Sequence, residues 1–363
     1  MILQLQFKLL VMMLLPGLLL AENPSVDKTL KTTREKSIQK SFNVNSDATL
    51  KVDNSYGNVD IVTWDRNTVD FDITIKVTGS NEDKVNDRLN DIDVQFSNSS
   101  SMVSAETKFG KKKNGSWWNW GKSNLKIEVN YVVKIPKTNN INIRNDYGAI
   151  NVDELMGRAQ ISCDYGKITT KELMADNNSL YFDYSNGCYF EYIKSGNINA
   201  DYSSYTVAKA NQLDINADYT KSAIEAVEDV TYNCDYGSLK VDNINNLEGN
   251  GDYLTLRLGN VYKNVSIKAD YGSIKIDKMA AGAGNIDIQT DYAGMTIGHD
   301  ANYNFKFEVE LEYASMRNSD DFEFVKSRIE SSEKYYLGYY GDQNSPNKVS
   351  IKSEYGSVNF KKL

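Results

Sequence analysis

Eleven carboxylates in this sequence stand immediately before the tyrosine of one recurring motif. They are Asp146, Asp164, Asp183, Asp201, Asp218, Asp235, Asp252, Asp270 and Asp291, then Glu312 and Glu354. Acids that recur at a fixed place invite three kinds of chemistry. They could gather divalent cations such as Ca²⁺, which favours carboxylate oxygen. Two of them could act as the paired acids of glycoside hydrolysis. More plainly, an Asp can accept hydrogen bonds from the backbone N–H groups of the turn it begins. A catalytic pair would make particular units differ from the rest, whereas these acids recur as a pattern, and repetition marks structure. The spacing fits neither an EF-hand loop nor a Ca²⁺-binding nonapeptide repeat. This reading assigns no catalytic residue, no metal ligand and no cofactor.

The remaining reactive residues are sparse. His299 is the single histidine, which excludes a His-based triad or a multi-His metal site. Standing alone, it is expected on the surface. There is no GxSxG, phosphate loop or CxxC. One segment, KFGKKKNGSWWNWGKSN, concentrates Trp117, Trp118 and Trp120 beside a run of lysines. Such rings could contact a sugar, a membrane interface or a protein partner. Equally, they could fold back as a small satellite core.

The acids are positioned by a repeat. Aligned on tyrosine, the hooks are Tyr147, Tyr165, Tyr184, Tyr202, Tyr219, Tyr236, Tyr253, Tyr271, Tyr292 and Tyr313. Subtraction gives spacings of 18, 19, 18, 17, 17, 17, 18, 21 and 21 residues. Tyr56 precedes this run. Tyr355 follows it at a distance that fits two long repeats or one repeat with an insertion. A period near 18 is a solenoid signature.

Within a unit the apolar residues alternate, as in Ile150 and Val152, then Ala159, Ile161 and Cys163. Alternation of period two marks strands with one buried face. Two strands of about five residues and two turns would use up each unit. The expected fold is therefore all-β: a single parallel β-helix, or β-solenoid, of 17–21-residue coils. The tyrosines would stack from coil to coil.

Glycine follows the hook at Gly57, Gly148, Gly166, Gly237, Gly272 and Gly356, and is expected to take a positive φ there. The residue two before each hook is mostly small, including Cys163 and Cys234. These two read as buried thiols, four coils apart and too distant to bridge.

The ends differ from the middle. Residues 1–21, with Lys8 ahead of an apolar run and then Ala21, read as a cleaved signal peptide. Residues 22–45 are a charged lead-in, either disordered or an outer strand. Residues 46–135 hold a first coil and an α+β cap with the Trp/Lys-rich hairpin loop. Its helix is expected to start at a Ser80–Asp83 capping box. Residues 136–363 carry the solenoid and a C-terminal strand cap. Loss of Lys8 takes the formal charge from −8 to −9. An acidic surface argues against nonspecific nucleic-acid binding. No transmembrane segment is expected in the mature chain.

KSFNVNSDATLKVDNSYGNVDIVTW, then VNYVVKIPKTNNINIRNDYGAINVDEL, then serial DYG-x-I-x-V units resemble a bacterial family of adhesin-like β-repeat proteins of the cell envelope, a domain-of-unknown-function group. The pattern is similar to the auto-transporter adhesin head domain of Bacteroidetes. The resemblance covers roughly residues 36–363 and implies a β-solenoid, export and no catalytic residues. The leading expectation is an exported, non-enzymatic protein that presents a repetitive strand surface to an envelope protein or glycan. A polysaccharide-active β-helix enzyme and an envelope sensor or regulatory partner are the alternatives. Periplasm or cell surface, and the oligomeric state, stay open.

Overall fold

The computed structural model describes residues 31–110 and 124–363, and the expected signal peptide lies outside them. The protein is all-β. Its described strands join into one sheet of 27 strands that does not close on itself.

Parallel pairing between successive repeats builds most of this sheet. Asn140–Asp146 pairs with Ala159–Asp164, that strand with Asn178–Asp183, and Asn178–Asp183 with the second half of Cys188–Asp201. Alternating apolar residues place one face of every strand inside. Ile143, Ile161, Leu180, Ile198, Ile215 and Tyr232 fall in register and form one buried column. Gly249 follows Tyr232 in this column. A Cβ on Gly249 would sit 2.4 Å from the Tyr232 ring. The glycine makes room for the bulkiest member, as close packing requires.

The middle repeats do not divide into two separate strands. Ser204–Asn216 and Lys221–Asn233 run unbroken, and the ladder between them skips Ala208 and Asn211. Buried residues along the first of them are Tyr205, Val207, Ala210, Leu213 and Ile215. The step from one to the next is two at each end and three at the bends. A step of three keeps successive side chains inward where the chain turns a corner, so the corner stays hydrogen-bonded instead of becoming a loop.

The first repeat carries a large insertion. Thr68–Gly79 pairs antiparallel with Thr32–Asn43 on one edge and Lys126–Pro136 on the other. The charged lead-in is thus an outer strand over residues 32–43. The helix Glu82–Asp91 packs across these strands through buried Val85. Its N-cap is Asn81, whose side chain accepts the Lys84 N–H at 2.9 Å, so a single cap one residue later replaces the box expected at Ser80–Asp83.

The last repeat is out of chain order. Lys348–Glu354 lies between Ile286–Asp291 and Phe305–Glu312, parallel to both. The residues before it form an antiparallel set in which Glu333–Tyr340 pairs with Phe305–Glu312 and with Glu323–Ile329. Tyr355 therefore belongs to one repeat with an insertion.

His299 departs from its expected surface position and is 2% exposed. It follows Met279 in register, in the column of Ile244 and Val261. Phe305, Phe322 and Tyr340 enclose its ring at 5.7, 6.4 and 4.8 Å. Burial lowers its pKa. The insertion covers what would otherwise be an open end, which is why a polar ring is inside.

Candidate functional site

The hook is a built corner with a fixed chemistry. Every hook tyrosine has a positive φ, from 50° at Tyr202 and Tyr313 to 65° at Tyr56. The expected glycine is not the left-handed residue. Glycine follows the tyrosine for a different reason. A Cβ on Gly148 would meet the Gly57 carbonyl oxygen at 1.8 Å, and one on Gly166 the Gly148 oxygen at 2.1 Å. Three middle repeats put Ser185, Ser203 and Thr220 there. Each hydroxyl accepts an N–H from the previous repeat and donates to a carbonyl, as Thr220 Oγ1 accepts from Ser203 N at 3.1 Å and donates to Ala200 O at 2.8 Å.

The tyrosine rings form one column. Centroids are 4.6–5.4 Å apart and planes tilt by no more than 9°, from Tyr56 through Tyr147, Tyr165, Tyr184, Tyr202, Tyr219, Tyr236, Tyr253, Tyr271 and Tyr292 to Tyr355 and Tyr313. Partial burial, then neighbouring phenols, then flanking aspartates raise the pKa of Tyr165, Tyr202, Tyr236 and Tyr271. Within the column the ring faces are occupied by one another, so the inner rings present only edges and hydroxyls to solvent.

The acids beside the column are also engaged. The carboxylates of Asp183, Asp201, Asp218, Asp235 and Asp252 reach forward, not into their own turns. The backbone N–H of Asp201, Asp218, Asp235, Asp252 and Asp270 donates to Oδ1 of the preceding repeat's aspartate at 2.8–3.1 Å. These five carboxylates are thus structural cross-links, one lone pair each already spent. Asp146, at the start of the column, keeps one buried oxygen without a partner, and burial raises its pKa.

The adjacent outward face is where unused polar groups collect. Three residues before four successive hooks, Asn199, Asn216, Asn233 and Asn250 stand in register on successive strands. Asn250 Nδ2 donates to Asn233 Oδ1 at 2.7 Å, while the Asn199 and Asn216 amides have no hydrogen-bond partner among the described residues. In the repeat before Asn199 this place is taken by Tyr181. Its ring is 43% exposed and stacks on no other ring among the described residues. Here the face is hollowed into a trough of about 950 Å³. Short residues make its floor: Gly196, Ser195 and the buried Ser179. Arg158 borders it, held by Nε donating to the Asn177 carbonyl at 2.7 Å. A smaller hollow of about 370 Å³ adjoins it and shares Tyr181, Asn199 and Asn216.

Trp117, Trp118 and Trp120 lie outside the described residues. Cys163, Cys188 and Cys234 are buried and unbridged, and burial pushes the Cys163 and Cys234 thiols up to about 12. Such thiols are poor nucleophiles. No helix among the described residues is long and apolar enough to cross a membrane.

No family model matches the chain, and no curated protein does. Among solved structures, the chain is similar to a candidate adhesin from Parabacteroides merdae, covering 90% of this chain and 96% of that one at 11% identity and a TM-score of 0.34. It is also similar to a candidate lipid-binding protein from Parabacteroides distasonis, over 89% and 96% at 8% identity and a TM-score of 0.27. A candidate cell adhesion protein from Clostridium sporogenes matches over 91% and 100% at 12% identity and a TM-score of 0.16. Scores this low carry no argument about what the chain does.

Proposed function

We propose that the repeats are the coils of a parallel β-solenoid, with residues 46–135 as first coil and cap and 136–363 as the solenoid. We infer that the protein acts as a non-enzymatic, exported, adhesin-like component of the cell envelope, offering its outward strand face to a partner with a repeat of its own. One observation carries this reading: Asn199, Asn216, Asn233 and Asn250 repeat in register along an open face. Side chains on such a ladder recur at the strand spacing of about 4.8 Å. A periodic surface of amides with donors and acceptors to spare suits a periodic ligand, because each added unit repeats the same kind of hydrogen bond.

The test is retention of the purified full chain by envelope material from source cells. Wild type should be retained, and a variant with Asn199, Asn216 and Asn233 all changed to Glu should not. Retention of both to the same extent, or of neither, would refute the reading.

A further inference from the structure

We propose that the trough around Tyr181 binds an uncharged, hydroxyl-rich polysaccharide, an inference that rests on the reading of the face as a binding surface. The argument begins with charge. Among the described residues, Arg158 and Asp214 are the only charged ones bordering the trough, and they are of opposite sign. The adjoining hollow adds Arg144 against Asp164, Asp183 and Asp201, so its surplus is negative. An acidic glycan or a nucleic acid would meet repulsion there. A protein partner would ask for an apolar centre. The trough offers Tyr181, and beyond it only the buried Ile215.

What it does offer matches a sugar. A hydroxyl both donates and accepts, and so does a carboxamide. The Asn199, Asn216 and Gln212 amides line the trough without hydrogen-bond partners among the described residues. Arg158 is anchored through Nε to the Asn177 carbonyl, and only a long 3.5 Å contact links Nη2 to Ser179 Oγ, which leaves other donors for a ligand. Tyr181 supplies the apolar plate against which the C–H face of a pyranose can lie. Its hydroxyl is engaged only loosely, accepting from Asn197 Nδ2 at 3.4 Å. A ring held among amides, over a floor of glycine and serine, is a stacking platform within a hydrogen-bonding cleft. Polar side chains orient such a ligand and the aromatic surface supplies contact area.

The experiment uses the full chain and the envelope material that retains it. That material is treated in parallel with proteinase or with periodate, which cleaves vicinal diols. Its neutral polysaccharide, the part not held by an anion exchanger, is then titrated against wild type, Tyr181→Ala and Tyr181→Phe. Retention should survive proteinase and vanish after periodate. Tyr181→Ala should bind the neutral fraction at least about tenfold more weakly, while Tyr181→Phe stays within about threefold. Melting temperatures of the three proteins check that the surface changes leave the fold intact. Loss of retention after proteinase, preference for the acidic fraction, or equal binding by Tyr181→Ala would overturn the proposal. Those outcomes would leave the envelope reading standing. Absence of any retention by untreated material would remove that reading instead.

Discussion

Tyr355 stacks on Tyr292, with centroids 4.6 Å apart and 3° between the planes, although Tyr313 follows Tyr292 more closely in sequence. Tyr313 stacks on the far side of Tyr355, at 4.9 Å. The column is therefore ordered by sheet pairing and not by position along the chain. Lys348–Glu354 slides between two strands that precede it, and its tyrosine takes the place that pairing dictates.

The hook trades strain against stacking. A non-glycine residue in the left-handed region costs about 1–2 kcal/mol, and a stacked pair returns about 0.5–1.5 kcal/mol. Tyr219 has φ 53° and stacks on both Tyr202 and Tyr236. Tyr219→Ala loses both stacks and keeps the strained backbone; Tyr219→Gly loses the stacks and relaxes it. Alanine should be the more damaging, by about 1 kcal/mol, the reverse of the usual order in strands. Thermal unfolding of the two variants decides it, and a less stable glycine variant would show that the hook backbone is not strained.

Close approach at the glycines predicts a second effect. Gly148→Ala drives a methyl group into the Gly57 carbonyl and should lower stability by about 2 kcal/mol or more. Gly282→Ala, where nothing lies within 4 Å of the added carbon, should change it by less than about 0.5 kcal/mol. Similar melting points for the two variants would contradict the packing described.

The aspartate relay should show in salt. Asp218 Oδ1 accepts the Asp235 N–H at 2.9 Å, and Asp218→Ala leaves that donor unmet at about 1 kcal/mol. Asp218→Asn keeps an acceptor and removes one of a row of like charges. It should match or exceed wild type in low salt, and the difference should close near 1 M NaCl, where the screening length falls to about 3 Å. Melting curves at both ionic strengths are the measurement. An asparagine variant as unstable as the alanine one would rule out the relay.

His299 sets a pH dependence. Burial is the main cause of its lowered pKa, with Lys362 acting in the same direction and Asp300 and Asp321 against it. The unfolded chain therefore takes up the proton first. The contribution of neutral His299 is fully present above the ordinary histidine value of about 6.5 and is lost as pH falls through the lower folded value. Wild-type melting temperature should drop across that window, and His299→Phe should flatten the drop. An unchanged slope in the variant would mean that other groups govern it.

Much of this architecture was legible because the repeat is written in residues with one dominant use. Tyrosine spacing located the hooks, and alternation at Ile150 and Val152 located the buried face. The left-handed tyrosine was not legible, since that conformation is ordinarily glycine's, and Gly148 stood next to it. His299 was misplaced because two of the rings around it, Phe322 and Tyr340, come from the antiparallel set that follows its repeat and not from the repeat itself. The trough had a signal that went unread. Aligning the third residue before the hooks from Tyr184 to Tyr253 gives Tyr181, Asn199, Asn216, Asn233 and Asn250, and the tyrosine opens a run of four amides.

The inserted last strand also constrains the order of assembly. As the polypeptide emerges, each unit through Tyr292 can settle on its predecessor. Phe305–Glu312 can pair early with Glu333–Tyr340, but its parallel seat does not exist until residues 348–362 arrive and wedge themselves beneath it. The finished arrangement is thus bolted from within by a strand that must wait for both of the neighbours it joins.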